Sequence, residues 1–217
     1  MAGGTRQAAK DRAYAFVKDQ VLRGVFEGGD LISEGDVASA LEMSRTPIRE
    51  AFLRLEVEGF LRLYPQRGAL VVPVSPAEVR SVLEARLVLE LFAAEKLAAG
   101  AASAREEVAD GLDAGLSRQH ELIEAGELGA FLEEDRLFHT RMVEAAGNEL
   151  FSRFYASLRD RQVRMIAESL LADRGRRETI LAEHREIAEA VRSGNPDRAE
   201  AAVRTHLAST RSALGLA

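Results

Sequence analysis

The spacing of the apolar residues changes twice along this chain, and those changes limit the folds that it can adopt. Up to Gly59 the apolar residues recur every three or four positions, as in amphipathic helices. Residues 60–64 and 69–72 instead have the pattern of two short strands around a turn at residues 65–68. From residue 76 to the end only helical spacing is found. The pattern predicts a mainly α protein with one small β element.

Local signals place three helices before this β element. The first helix is predicted from Gln7 to Leu22, and the second follows Ser33, which has the side chain of an N-cap residue. The third follows Ser44, also expected as a side-chain cap, and carries Pro47 in its first turn, where a missing N–H is tolerated. Three helices and a β-hairpin are the layout of a winged helix-turn-helix, which we assign to residues 1–74.

The remainder, residues 75–217, predicts a second, all-α domain. Ser75 and the proline after it begin a helix strongly, because serine caps the first turn and proline fits the first helical position. About six helices are expected in a helical bundle, with breaks near residues 100, 126, 147–148, 172–173 and 194–196.

The charge is divided unevenly between these two parts. The formal net charge is -6, yet residues 1–75 contain ten basic and ten acidic side chains, so the whole excess of acid lies beyond them. Cysteine is absent, which excludes thiolate ligands and disulfides. No apolar run reaches the length of about 18 residues that predicts a membrane span, and no signal-peptide core is found. We expect a cytoplasmic protein that is not attached to a membrane.

Five arginines nevertheless lie between residues 44 and 68 of this acidic chain. Arg45 and Arg49 are one turn apart at the start of the third helix, beside Ser44 and Thr46. In a helix-turn-helix this end of the helix enters the major groove, where arginine binds guanine and hydroxyl groups bind phosphates. Arg67, at the hairpin tip, could reach the DNA backbone or the minor groove. The alternative is a solvated helix face with Arg–Glu pairs.

The run Ser-Arg-Thr-Pro-Ile-Arg-Glu-Ala at residues 44–51 and the residues around it favour the DNA-binding interpretation. Together with the glycines around it, this run resembles the DNA-binding domain of the GntR superfamily of bacterial transcription regulators, over about residues 8–73. The resemblance implies that Arg45, Thr46 and Arg49 contact an operator and that Gly68 belongs to the wing.

Two residues depart from the GntR pattern. Gly35 stands where many members have an arginine that also contacts DNA, which could narrow or weaken operator recognition. Glu42 stands where the turn between the helices usually has glycine. We expect either a different turn at Glu42 or a local strain of about 1 kcal/mol.

Four polar residues of the second domain occupy helix stripes that are otherwise apolar. Asp135 and His139 share one stripe, and His184 and His206 lie on two others. A buried carboxylate is costly unless it is paired or bound to a metal. Three imidazoles and one carboxylate suit zinc first, with nickel, iron or manganese as alternatives. Four separate hydrogen-bonded core residues are the other interpretation. His120 lies at the edge of its stripe, so we expect it to be structural or exposed.

These four residues, with the run Ala-Ala-Gly-Asn at 145–148, resemble the FCD effector domain of the FadR subfamily, over about residues 76–214. About six helices suggest the shorter, VanR-like variety. The resemblance implies one divalent transition metal per chain and a small carboxylate effector that completes its coordination. It also favours Arg86 as a clamp for that carboxylate, whereas the residues alone allow an ion pair between Arg86 and Glu90 equally well.

The combined interpretation is a metabolite-responsive transcription regulator and not an enzyme. We expect a homodimer on a palindromic operator, acting as a repressor that the ligand releases. Two rival hypotheses stay open. A metal-dependent enzyme acting on an organic acid would use the same four ligands to activate water. A metal-free sensor of an apolar or acyl ligand would join the four polar residues by hydrogen bonds.

Overall fold

The computed structural model describes residues 2–172 and 175–216. The chain divides into two compact units, Met1–Val74 and Ser75–Ala217. None of the helices in the described ranges has the length and apolar character that a membrane crossing requires.

The first unit contains three helices and a small antiparallel sheet. The elements are α1 (Ala2–Leu22), β1 (Leu31–Ile32), α2 (Glu34–Ala40), α3 (Arg45–Val57), β2 (Leu61–Tyr64) and β3 (Gly68–Val71). The predicted three helices and β2–β3 hairpin are confirmed, and the unexpected strand β1 pairs with β3 on its other side. Two residues are too few to show an alternating pattern, so β1 gave no signal in the sequence.

The N-caps of α2 and α3 differ from each other. Ser33 accepts a hydrogen bond from the Asp36 amide at 3.0 Å, as the sequence predicted. Ser44 also stands in the N-cap position, but its side chain makes no capping hydrogen bond, so the expected side-chain cap is wrong. The Ser44 hydroxyl is therefore not occupied by its own helix.

Helix α3 is held against α1 by apolar burial and by one polar cluster. Ile48, Phe52 and Leu55 are completely buried. At the far end of α3, Glu58 accepts hydrogen bonds from the Tyr14 hydroxyl at 2.6 Å and from the Lys18 ammonium at 2.9 Å. These contacts fix the orientation of α3 and leave its N-terminal side chains exposed.

Position 68 requires glycine because β3 lies very close to β1 there. Gly68 has a φ of +100°, and a Cβ at this position would overlap the carbonyl oxygen of Ile32. Any side chain here would separate the two strands. Gly68 therefore stabilises the wing through its backbone.

Glu42 adopts the left-handed backbone that glycine usually supplies, with a φ of +53°. Of the two expectations for this turn, a different conformation or local strain, the second is therefore correct. The turn keeps the conformation that glycine usually allows, and Glu42 bears the strain. The side chain of Glu42 is exposed, so the cost lies in the backbone and not in packing.

The second unit is entirely helical in its described residues. Its helices are α4 (Pro76–Ala98), α5 (Ala102–Ala125), α6 (Leu128–Ala145), α7 (Glu149–Ser157), α8 (Arg159–Ala172), α9 (Arg176–Ser193) and α10 (Pro196–Ala213). They number seven where about six were expected. The additional boundary, at Leu158, has neither glycine nor proline to mark it. The predicted break at residues 172–173 lies partly outside the described residues, because Asp173 is not among them.

Replacing Glu42 by glycine should stabilise the first unit. Glycine adopts a positive φ without the steric cost of about 1 kcal/mol that other residues incur, although its greater freedom in the unfolded chain offsets part of the gain. We expect the free energy of unfolding to rise by up to about 1 kcal/mol, measured by chemical denaturation followed by circular dichroism.

Glu42→Ala is the matched control, because alanine removes the carboxylate but keeps the left-handed strain. If Glu42→Ala stabilises the protein as much as Glu42→Gly, the cost arises from the glutamate side chain and not from its backbone.

Candidate functional site

The predicted DNA-binding side chains lie on exposed positions of the first unit. Ser44, Arg45, Thr46 and Arg49 are exposed around the N-terminus of α3, and Arg67 is exposed in the turn between β2 and β3. The apolar face of α3 is buried, so these polar side chains project from the opposite side of the helix. The N-terminus of α3 is the positive end of the helix dipole, and it also carries the guanidinium groups of Arg45 and Arg49.

Gly35 affects the position of one of these arginines. A Cβ added at Gly35 would lie 3.4 Å from the Nη2 atom of Arg45. The guanidinium of Arg45 thus lies beside the first turn of α2, in space that a side chain at position 35 would share.

In the second unit, three of the four predicted metal ligands come together. His139 on α6, His184 on α9 and His206 on α10 each offer one ring nitrogen, and these nitrogens lie within 4.8 Å of one another. The Nε2 atoms of His139 and His184 are 3.1 Å apart. All three rings are buried, with exposed fractions of at most 1%. The three side chains form what we call the histidine triad.

Asp135 borders the histidine triad, one helical turn before His139 on α6. Its Oδ1 atom lies 3.7 Å from His184 Nε2 and has no hydrogen-bond partner among the described residues. Burial raises the pKa of Asp135 to about 6, although the positive charge of Arg86 opposes the shift. A buried carboxylate oxygen without a partner is costly, and a bound cation would remove that cost.

Each histidine has a neighbouring acceptor at its second ring nitrogen. His184 Nδ1 lies 3.1 Å from Gln119 Oε1, and His206 Nδ1 lies 2.9 Å from Glu183 Oε2. His139 Nδ1 lies 3.0 Å from Glu90 Oε2. The first two contacts are hydrogen bonds, whereas the third is an ion-pair contact without hydrogen-bond alignment. Acceptors at Nδ1 fix the tautomer that leaves Nε2 free to bind a metal. His206 Nε2 has no partner in the described part of the chain.

The surroundings of the triad favour neutral imidazoles. Burial lowers the pKa of His184 well below its ordinary value, and the neighbouring rings His139 and His206 add to the effect. Burial also lowers the pKa of His139 and of His206, although Glu90 and Glu183 act in the opposite direction. Neutral imidazole is the form that binds metals.

Arg86 is buried next to the triad, with 1% of its surface exposed. Its Nε atom donates to Glu90 Oε1 at 2.6 Å, and the Tyr155 hydroxyl donates to the same oxygen at 2.7 Å. The ion pair that the sequence allowed is therefore present. Arg86 Nη2 has no hydrogen-bond partner among the described residues, so the ion pair leaves part of the guanidinium available.

Several polar partners of the triad were missed in the sequence. Gln119 lies on the apolar stripe of α5, beside which the sequence analysis considered only His120. Glu183 and Arg176 were not predicted as site residues. The signal for Gln119 was the one used for the histidines, a polar residue on an apolar helix stripe. His120 itself is exposed and lies 3.6 Å from Glu124, away from the triad.

Comparison with known proteins gives two matches along the chain. Residues 9–71 match the gntR family of bacterial regulatory proteins, and residues 81–209, more than half of the chain, match the FCD domain. The families and the relatives found are transcriptional regulators, in agreement with the expectation that this chain is not an enzyme.

Two relatives and one solved structure illustrate these matches. The transcriptional repressor RspR of Escherichia coli K12 is 28% identical, over 93% of this chain and 86% of the relative. A gluconate operon repressor of Bacillus licheniformis is 29% identical, over 71% of this chain and 62% of its own length. The structure of Escherichia coli McbR/YncC shares the fold, with a TM-score of 0.67, 19% identity and coverage of 95% and 97%.

Proposed function

Because this chain belongs to the gntR family of bacterial regulatory proteins and carries an FCD domain, we propose that it is a metabolite-responsive repressor. In this proposal the FCD domain binds one divalent transition metal and a small carboxylate effector. The observation that carries the proposal is the histidine triad, three buried imidazoles around one point, with a carboxylate oxygen beside them that has no hydrogen-bond partner among the described residues.

The residues fit a metal ion by their chemistry. His139, His184 and His206 would supply nitrogen ligands and Asp135 an oxygen ligand, a set that suits zinc first and also nickel, iron or manganese. Two atoms of this set, His206 Nε2 and Asp135 Oδ1, are buried without a hydrogen-bond partner among the described residues. When bound, the metal would act as a Lewis acid that accepts an oxygen of the effector.

We place the effector carboxylate between this metal and Arg86. The free Nη2 of Arg86 is a buried donor, and a guanidinium binds carboxylates with well-defined geometry. One relative is a gluconate operon repressor by name, so gluconate is the first acid that we would test on this chain.

We place the operator on the exposed face of the first unit. Arg45, Arg49, Ser44 and Thr46 would enter the major groove, where arginine reads guanine and the hydroxyls bind phosphate. Arg67 and the wing at Gly68 would contact the adjacent backbone. A homodimer would present two such units to the half-sites of a palindrome.

Effector binding would control the operator through linkage. An effector shifts the protein toward the arrangement for which it has the higher affinity, and by no more than that difference in affinity. We propose that the acid favours the arrangement that does not bind DNA, so that it relieves repression.

Replacing Arg49 by alanine should weaken operator binding by about 10- to 100-fold, because one bidentate contact to a base contributes about 1–3 kcal/mol. The operator is first selected from random DNA with the wild-type protein, and affinity is then measured by fluorescence anisotropy at fixed salt. Arg23→Ala is the control, since Arg23 is an exposed arginine paired with Asp19 on α1. Equal losses in both variants, or unchanged affinity of Arg49→Ala, would reject α3 as the recognition helix.

Replacing His184 by glutamine should remove the bound metal, because this ring contributes a nitrogen at the centre of the triad. We expect about one metal ion per wild-type chain by elemental analysis and far less in the variant. Added zinc should raise the melting temperature of the wild type, because a ligand that binds only the folded state stabilises it. His120→Gln is the matched control and should behave as wild type. A His184→Gln protein that retains stoichiometric metal would show that the ligand set is wrong.

Replacing Arg86 by lysine should weaken gluconate binding at least about 10-fold while metal content is unchanged. Lysine keeps the positive charge beside Glu90, which avoids a buried unpaired carboxylate, but it lacks the planar fork that binds a carboxylate. Isothermal titration calorimetry on the metal-loaded protein measures the change. If Arg86→Lys binds gluconate as tightly as the wild type does, Arg86 serves only in its ion pair with Glu90.

A further inference from the structure

A groove with a volume of about 440 Å³ lies between α4 and α10 on the surface of the helical unit. This volume falls within the range of small-molecule sites in proteins. The lining residues of each helix recur at the spacing i, i+3, i+4 and i+7, so each helix turns one stripe toward the groove. None of the described residues that line the groove belongs to the histidine triad or to its polar partners. We call it the α4–α10 groove.

The least exposed side chains of the α4–α10 groove are leucines. Leu83 and Leu207 have exposed fractions of 6% and 4%, and Leu87 and Leu216 are half-buried beside them. A ligand that covers these leucines finds no hydrogen-bonding partner in them, so a sugar acid would lose the hydrogen bonds of its hydroxyl groups to water there. The described lining also contains no aromatic ring on which a base could stack. An aliphatic chain is therefore the group that fits this floor.

One end of the groove is closed by a defined turn that follows α10. Gly215 has a φ of +68°, and the amide of Leu216 donates to the carbonyl oxygen of Arg211 at 3.2 Å. This is the hydrogen bond with which a glycine-terminated helix folds the next residue back toward its last turn. The turn brings Leu216 into the lining of the groove.

The rim of the groove is basic, although the acidic excess of the chain lies entirely in the helical unit. Three arginines line it, Arg80, Arg204 and Arg211, against one acidic residue in the described lining, Glu84. Arg204 binds Glu200 at 2.7 Å. The guanidinium groups of Arg80 and Arg211 are exposed and have no ion-pair partner among the described residues. Two guanidinium groups beside an aliphatic floor are complementary to an anion that carries an apolar chain.

We propose that the α4–α10 groove is a second ligand site, which binds an aliphatic monoanion, that is, a hydrocarbon chain that ends in a carboxylate. Arg80 and Arg211 bind the carboxylate, and the leucines remove the chain from water. The inference does not rest on the metal or on the effector of the proposed function. The two walls are the helices that also carry Arg86 and His206, so a ligand in the groove contacts two of the helices that build the triad.

The first test compares three head groups on the same alkyl chain, by isothermal titration calorimetry with the full-length wild-type protein. Octanoate is negative at neutral pH, octan-1-ol is uncharged and octylamine is positive. We expect octanoate to bind at least about 5-fold more tightly than octan-1-ol, because its carboxylate gains charge-assisted hydrogen bonds. Octylamine should bind most weakly, because the arginines repel it. Added salt should weaken octanoate and leave octan-1-ol unchanged.

The second test varies the chain at a constant head group. Hexanoate should bind more weakly than octanoate, by up to about 4-fold for each CH₂ group that the groove buries. Acetate has the charge without the chain, and we expect no measurable binding in the same titration. Equal affinities for hexanoate and octanoate would contradict the aliphatic floor.

Variants assign the two contributions to the groove. Arg80→Gln and Arg211→Gln should each weaken octanoate by about 3- to 10-fold and leave octan-1-ol unchanged, because the glutamines lack the charge. Leu87→Gln should weaken octanoate and octan-1-ol together. Arg118→Gln is the matched control, since Arg118 is an exposed arginine on α5 that pairs with Glu121 at 2.8 Å outside the groove. It should bind octanoate as the wild type does.

His184→Gln separates this site from the triad. Octanoate should bind this variant as tightly as the wild type, whether or not the variant holds a metal. Failure of the metal proposal therefore leaves the groove proposal intact, and the reverse also holds.

Four outcomes would overturn the inference. Octanoate binding no more tightly than octan-1-ol would contradict the role of the charge. Wild-type affinity in both Arg80→Gln and Arg211→Gln would remove the arginines from the site. Loss of octanoate binding in His184→Gln would place the acid at the triad. A wild-type protein that binds no octanoate would leave the groove without this ligand. In that case, a lower mass of Leu87→Gln in analytical ultracentrifugation would assign the groove to a contact between two copies of the chain.

Discussion

The helical unit depends on the mutual neutralisation of the charged groups that it buries around the histidine triad. Arg86 and Glu90 have exposed fractions of 1% and 0%, and neither would be stable there alone. Breaking one such pair by removing a single partner costs about 3–5 kcal/mol, whereas intact pairs contribute little net stability. Further contacts of these charged groups join one helix to another. Glu90 on α4 reaches His139 on α6, and Arg176 on α9 reaches Thr210 on α10.

The same arrangement determines the chemistry of the site. Acceptors at the Nδ1 atoms of His184 and His206 favour the tautomer whose Nε2 atom can bind a metal, and burial lowers the pKa of all three rings. A metal and an anion would thus meet a site already in its binding form. Arg86 and Arg176, which bind the glutamates on one side, each keep one buried nitrogen without a hydrogen-bond partner among the described residues. One set of contacts supports both the fold and the proposed binding function.

Much of this could be predicted from the sequence, and the omissions have physical causes. The helical and strand periods gave the architecture, and an aspartate and three histidines on apolar stripes singled out the residues around the triad. Glu183 was missed because its role depends on a ring 23 positions further along the chain, and no periodicity encodes which side chains of two helices meet. Strand β1 was too short to show a pattern. The boundary at Leu158 lacks a helix-breaking residue. Ser44 stands in the N-cap position of α3, but its side chain makes no capping hydrogen bond.

The order in which the triad is assembled along the chain has a consequence for protein synthesis. His206 lies on α10, which follows α6 and α9 along the chain, so the triad can be completed only after α10 has been synthesised. The first unit, Met1–Val74, is synthesised well before it and contains its own buried core. A nascent or prematurely terminated chain would present the α3 arginines without a complete triad. Such a fragment would carry the proposed DNA-binding side chains without the proposed effector site, so rapid removal of incomplete chains would matter for accurate control.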